Sequence, residues 1–204
     1  MNIKRGVFVT GSDTGVGKSV AAAWLVGLLA GAYWKPVQSG LEGESDTGMV
    51  RRLTGCVTFP ETFRLTHPLS PHEAARLDGL ELRLEDFSLP ATPHPLIVEG
   101  AGGVLVPLNG EAFMVDLMAR LGLPVVLTAR TALGTINHTL MSLECLRRRD
   151  LAVAGVILSG PPDPANREAI ARFGAVPIIA EIPWLAPLTS ATLAAVPCRH
   201  RFLP

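Results

Sequence analysis

The chain is predicted to fold as an α/β protein, a doubly wound and mostly parallel β-sheet flanked by helices in three α/β/α layers. Three features predict it. Short apolar runs rich in Val and Ile recur along the chain, continuous rather than alternating, as strands buried on both faces read. Longer amphipathic stretches separate them and give a β-α-β-α rhythm. The first run empties into a glycine-rich turn followed directly by a helix.

The elements follow in order. GVFVTG (6–11) is a buried strand between turn residues. A helix runs from Gly17 to about Leu29, apolar nearly all round, so it should pack against the sheet rather than lie on the surface. AYWKPV (32–37) is a second strand. LIVEGAGG (96–103) is a strand running into a glycine-rich loop, and PVVLTA (124–129), VAGVILS (153–159) and VPIIAEI (176–182) complete the set. Helices are expected at 45–54, 113–121, 134–149 and 164–173. The Pro-rich stretch from Cys56 to Pro95 reads as a long excursion with one or two short helices, and such excursions are more often functional than random. The tail from Pro197, with Arg199, His200 and Arg201, reads as a frayed end.

A length of 204 residues suits one domain spanning 1–204, and 48% hydrophobic against 18% charged residues allows a sizeable core. Lys plus Arg and Asp plus Glu are 18 each, for a formal net charge of +0. No bulk field then draws the chain to nucleic acid or to a membrane, and any anion site must be built from a few placed groups. No signal peptide is read behind Met1, and no charge-free apolar run reaches the roughly 20 residues a spanning helix needs. Cys56, Cys145 and Cys198 lie far apart and read as reduced thiols of a cytoplasmic protein.

The turn after the first strand reads G-S-D-T-G-V-G-K-S (11–19). Phosphates need several inward-pointing backbone N–H groups, and Gly15 and Gly17 let the chain approach closely enough to supply them. Lys18 brings a cation to the outer phosphates. Ser19 opens the helix, where its hydroxyl can hold Mg²⁺ and the helix N-terminus adds partial positive charge. The strict P-loop spacing would put its first glycine at Ser12, whereas this chain has it at Gly11. The strand–turn–helix setting nonetheless marks a P-loop NTPase type of fold.

Nucleotide-bound Mg²⁺ takes one or two carboxylates as well. Glu99 ends the apolar LIV run at the carboxyl end of a strand, where open α/β sheets build their sites. Asp46 follows Ser45 at a helix start, where a first-turn acid and a metal ligand are both open readings. Lys35 closes a strand and precedes the polar turn Pro36–Gly40, placing a second cation near a transferring phosphoryl group. Ser70 and Pro71 read as a helix start, and Asn137 and His138 as a polar helix end.

Six blocks in order resemble dethiobiotin synthetases: T-G-S-D-T-G-V-G-K-S (10–19), W-K-P-V-Q-S-G (34–40), S-P-H-E-A-A (70–75), V-E-G-A-G-G (98–103), L-G-T-I-N-H (133–138) and E-I-P-W-L (181–185). They reach across almost the whole chain. The resemblance implies that diaminopelargonic acid captures CO₂ as a carbamate. ATP phosphorylates the carbamate, and the second amine closes a cyclic urea with release of ADP and phosphate. Positioning and charge stabilisation would carry such chemistry.

Carried over block by block, Lys18, Lys35 and Thr14 are the expected catalytic groups. Gly15, Val16, Gly17, Lys18, Ser19, Val20, Asp46, Glu99, Gly100, Ala101 and Gly102 would border the nucleotide. Ser159, Gly160, Pro183, Trp184 and Leu185 would lie at its base. Ser19, Asp46 and Glu99 would hold Mg²⁺. Ser39 would meet the diamine or carbamate, and Thr135, Ile136 and Asn137 of a partner subunit would meet the substrate carboxylate, which implies a homodimer with sites near its interface. The sequence departs from the family pattern where Ser159-Gly160 replaces an Asn-Asp pair that reads the base, in a short lead-in to Lys35, and in a short segment after Trp184.

Two rivals fit less well. Partition and septum-positioning switch ATPases carry an extra lysine early in the loop, where this chain has Asp13, and a basic amphipathic tail is lacking too. An amidotransferase-type synthetase needs a glutaminase domain, for which 204 residues leave no room.

Overall fold

The structure is a computed structural model that describes residues 4–200. Seven parallel strands form one sheet: β1 (Gly6–Gly11), β2 (Ala32–Trp34), β4 (Thr58–Phe59), β6 (Leu96–Gly103), β7 (Val125–Arg130), β8 (Val153–Ser159) and β9 (Ile178–Ile182). Their order is β4-β2-β6-β1-β7-β8-β9, so β6 comes between β1 and β2. A second, two-stranded parallel sheet pairs β3 (Val37–Ser39) with β5 (Phe63–Leu65).

The helices cover both faces, as strands apolar on both sides require. One core packs Val7, Val9, Val126 and Ile157 of the sheet against α1 (Lys18–Leu29), α2 (Asp46–Thr54) and α7 (Ser190–Ala194). The other packs Phe8, Val98, Leu127 and Leu158 against α3 (Pro71–Asp78), α4 (Met114–Leu121), α5 (Thr135–Arg148) and α6 (Pro164–Gly174). Helix α1 buries Ala21 through Val26, as its all-round apolar sequence predicts.

The helix starts are chemical. Ser45 caps α2 by accepting the Gly48 N–H at 3.1 Å. Asp163 caps α6 by accepting the Asn166 N–H at 3.0 Å, with Pro164 at the first position. Ser70 precedes α3 as expected, but its hydroxyl lies 3.0 Å from His72 Nδ1 and makes no cap bond.

Several expectations are corrected. The run 32–37 is two strands in two sheets, because Pro36 has no N–H to continue the ladder. The excursion from Cys56 does carry short helices, α3 and a 3-10 turn at Leu84–Asp86, but it also holds the strands β4 and β5, which were not expected. Helix α7 was not expected; it packs under α1, where Trp24 Nε1 donates to the Val196 carbonyl at 3.1 Å. The tail is pinned up to His200 rather than frayed. Arg199 N–H donates to Ile179 O at 2.7 Å, and its guanidinium pairs with Glu181 at 2.6 Å. Arg201 lies outside the described residues. The three cysteines are free, as expected.

Candidate active site

The phosphate loop runs from the carboxyl end of β1 to the start of α1. Gly15 and Gly17 have φ of +72° and +86°, which side-chain-bearing residues adopt at a cost. Gly11 shows why the first glycine sits one place early. A Cβ there would come within 2.6 Å of the Asp13 carbonyl and 2.9 Å of Val16 Cγ2, so the turn folds back over position 11 rather than 12.

Four side chains converge beside the loop, from α1, α2, β6 and the link between β2 and β3. Ser19 Oγ in α1 lies 2.6 Å from Asp46 Oδ1 in α2 and 2.9 Å from Glu99 Oε1 in β6. Lys35 Nζ bonds Glu99 Oε1 at 3.0 Å and also pairs with Asp46. Glu99 is not at a strand end as expected. It sits inside β6 opposite Val9 of β1, and Gly100–Gly103 continue the strand instead of looping out. That interior position buries it to 1% exposure.

A buried carboxylate needs donors on both oxygens. Glu99 has them, because Tyr33 OH in β2 donates to Oε2 at 2.8 Å. Sequence reading missed Tyr33. Its signal was present: a lone tyrosine two residues before Lys35 lies on the same strand face. Gln38 was missed as well; its amide donates to the Ser39 and Gly40 carbonyls at 3.1 and 3.2 Å and shapes the turn.

The charges interact strongly. Burial works against the Lys35 ammonium, but Glu99 and Asp46 outweigh it and hold its pKa above the ordinary lysine value. Burial would raise the Asp46 carboxyl, yet Lys35, Ser19 and Lys18 together hold it below its ordinary value. Lys18 goes the other way: burial lowers its pKa, and Lys35 adds to this against the opposing pull of Glu99 and Asp46. Burial, and then Glu99, push the Tyr33 hydroxyl well above the ordinary tyrosine value, so it stays a neutral donor.

Lys18, Ser19, Lys35, Asp46 and Glu99 line a cleft of about 700 Å³ that also brings in Thr14, Gly15, Gly17, Val20, Ser39, Ala101 and Gly102, with Pro68 to Pro71 as a far wall. Ser39 Oγ is buried there without a hydrogen-bond partner. A larger cleft, near 810 Å³, lies between α1, α2 and α7, away from these charges, and is not the candidate site. Val16 is buried within the loop, and Gly100 packs against the Phe8 ring, where a Cβ would meet it at 2.8 Å.

The remaining expected residues lie outside this cleft. Ser159 ends β8 and Gly160 follows it. The Ser159 hydroxyl is 2.5 Å from where a Cβ on Gly17 would sit, so it flanks the loop. Pro183 and Leu185 are half-buried beyond β9, whereas Trp184 is 80% exposed. Thr135 begins α5 but turns inward, its hydroxyl 2.5 Å from the Arg130 carbonyl, while Ile136 is half-buried and Asn137 faces solvent.

Among the described residues, no three His, Cys, Asp or Glu side chains cluster as a self-sufficient metal cage. Two carboxylates and a hydroxyl within hydrogen-bond range of one another suit a divalent ion that takes its other oxygens from phosphates and water.

A family model described as an AAA domain matches residues 5–192. The chain is 50% identical over 194 residues to the ATP-dependent dethiobiotin synthetase BioD of Paramagnetospirillum magneticum, covering 95% of each. It is 47% identical over 192 residues to the ATP-dependent dethiobiotin synthetase BioD of Rhodopseudomonas palustris (strain TIE-1), covering 93% of this chain and 91% of the relative. Among solved structures, a ParA family ATPase from Chlorobium tepidum TLS matches with a TM-score of 0.56 over 93% of this chain and 89% of that one. At 12% identity that likeness shows the fold alone.

Proposed function

The chain belongs to the ATP-dependent dethiobiotin synthetase family, and on that premise we propose that it closes the ureido ring of dethiobiotin from diaminopelargonic acid, CO₂ and ATP. The observation that carries the reading is the convergence of Lys35, Ser19, Asp46 and Glu99 beside a phosphate loop, with the unpartnered Ser39 hydroxyl facing the same cleft.

The residues divide the work. The carbamate oxygen attacks the γ-phosphorus and ADP leaves. The second amine then attacks the carbamoyl carbon, loses its proton and expels phosphate. Lys18 and Lys35 offset charge on the transferring group, with Thr14 beside them. Burial lowers the Lys18 pKa, whereas two carboxylates hold Lys35 charged. Ser39 would spend its free hydroxyl on the diamine or carbamate. Ser19, Asp46 and Glu99 would hold Mg²⁺, which when bound would neutralise phosphate charge. Ser159, Gly160, Pro183, Trp184 and Leu185 would border the base.

A homodimer is proposed in which Thr135, Ile136 and Asn137 of one subunit meet the substrate carboxylate of the other. Leu133, in the turn just before α5, and Met141, one helical turn beyond Asn137, are exposed by 100% and 61% and support a covered face near Asn137. One synthetase domain spanning 1–204 is supported by two cores sharing one sheet. The cytoplasm is the proposed compartment, in keeping with free thiols. Among the described residues no helix is long and apolar enough to cross a membrane.

The test is phosphate release from Mg²⁺-ATP with diaminopelargonic acid and bicarbonate supplied singly and together. Release that requires both, with a cyclic urea detected by mass, is the expected result. Slow release indifferent to the diamine would sink the synthetase reading.

A further inference from the structure

The phosphate loop carries a carboxylate of its own. Asp13 lies against the loop's lysine: Lys18 Nζ donates to its backbone carbonyl at 3.3 Å, and its charge acts on the Lys18 ammonium. One carboxylate oxygen accepts the Thr14 N–H at 2.7 Å. A fixed negative charge in a loop built for a polyanion opposes its own ligand. The other oxygen lies 3.3 Å from Arg130 Nη2. Arg130 is the last residue of β7, and it reaches the loop because β7 pairs with β1, Thr128 opposite Gly11. The Ser12 N–H, donating to Thr128 O at 2.9 Å, ties the two together. The same Nη2 is 3.4 Å from His138 Nδ1 in the first turns of α5. No role described above uses Arg130.

We propose that Arg130 is a positioning residue of the phosphate loop, cancelling the charge of Asp13 and holding its carboxylate on the β7 side of the turn. The proposal rests on the nucleotide reading of the loop. With Arg130 present, the cations Lys18, Lys35 and Arg130 balance Asp13, Asp46 and Glu99; without it the site carries an excess negative charge where a triphosphate must enter. The pair is half-exposed, at 40% and 47%, so its effect is screened by salt.

The test is calorimetric titration of the full chain with ATP and Mg²⁺ at low and high salt. Arg130→Ala should weaken binding about three- to tenfold at low salt, and less at high salt. Asp13→Asn alone should bind at least as tightly as the unmutated chain. Adding Arg130→Ala to Asp13→Asn should then cost no more than about twofold, because the charge to be cancelled is gone. Arg130→Gln repeats the comparison if the alanine variant folds poorly, and Arg130→Lys should recover most of the affinity. At saturating ATP, kcat of Arg130→Ala should stay near normal while KM for ATP rises. An equal loss with and without Asp13→Asn would overturn the proposal, since Arg130 would then meet the ligand directly; so would no loss at all. Failure of the unmutated chain to bind ATP would show before any substitution, and would overturn the nucleotide reading and this proposal together.

Discussion

Replacing Lys35 with methionine removes one charge and leaves the chain volume nearly intact. In the folded chain the ammonium is 5% exposed, 3.0 Å from a Glu99 carboxylate that is itself 1% exposed. At that separation and an effective dielectric near 20 the attraction is roughly 5 kcal/mol, most of it offset by the cost of burying both groups. Removing one partner leaves Glu99 with only its Ser19 and Tyr33 donors, so Lys35→Met should destabilise the fold by about 3 kcal/mol. Its larger effect should be on turnover. If the ammonium offsets charge that develops on the transferring phosphoryl group, kcat should fall about 10²- to 10³-fold. The dissociation constant for ATP should move less than about fivefold, because the interaction matters most in the transition state. Steady-state kinetics well below the midpoint of thermal unfolding, with calorimetric ATP titration beside them, separate the two effects. Equal losses in kcat and ATP affinity would refute the reasoning, because Lys35 would then serve ground-state binding.

Three further outcomes follow from the geometry. Gly17→Ala places a Cβ 2.5 Å from the Ser159 hydroxyl at a φ of +86°, and ATP affinity by titration should fall at least about tenfold; Gly27→Ala, with nothing within 4 Å, should instead stabilise helix α1 by up to about 1 kcal/mol in thermal melts. Ser39→Ala removes a buried hydroxyl that has no partner, so stability should hold or rise by up to about 1 kcal/mol while KM for the diamine increases and KM for ATP does not. Chelating divalent metal should abolish phosphate release, recoverable with Mg²⁺, without shifting the melting curve of the nucleotide-free chain, whose cores do not depend on the ion.

The strands that hold the site were legible because a doubly buried parallel strand must be apolar on both faces, as 153–159, most of 6–11 and the Leu96–Val98 start of β6 are; the rest of β6, from Glu99 on, read as a loop. The loop was legible because Gly15 and Gly17 answer a backbone need. The reach of Glu99 was harder to read. Its side chain meets Lys35 across the β2–β6 ladder and Ser19 from α1, contacts set by a strand order that places β6 between β1 and β2. Residue spacing alone does not encode that order. Asp46 had two open readings, and the structure places it in the first turn of α2 and against Ser19 and Lys35 at once. Arg130 went unread because its partner lies 117 residues away. The pinned tail was invisible for the same reason: Arg199 reads as terminal polarity until Glu181 is beside it.

The central claim is that a carbamate is phosphorylated and its phosphate then expelled by the second amine. Bicarbonate labelled with ¹⁸O, supplied with diaminopelargonic acid and Mg²⁺-ATP in unlabelled water, tests this in one mass measurement of the released phosphate. The account predicts one labelled oxygen in each phosphate formed with a urea, because the carbamate oxygen that attacks phosphorus leaves with it. Phosphate free of label under conditions where the bicarbonate keeps it would mean that water attacks the nucleotide, and would contradict the mechanism.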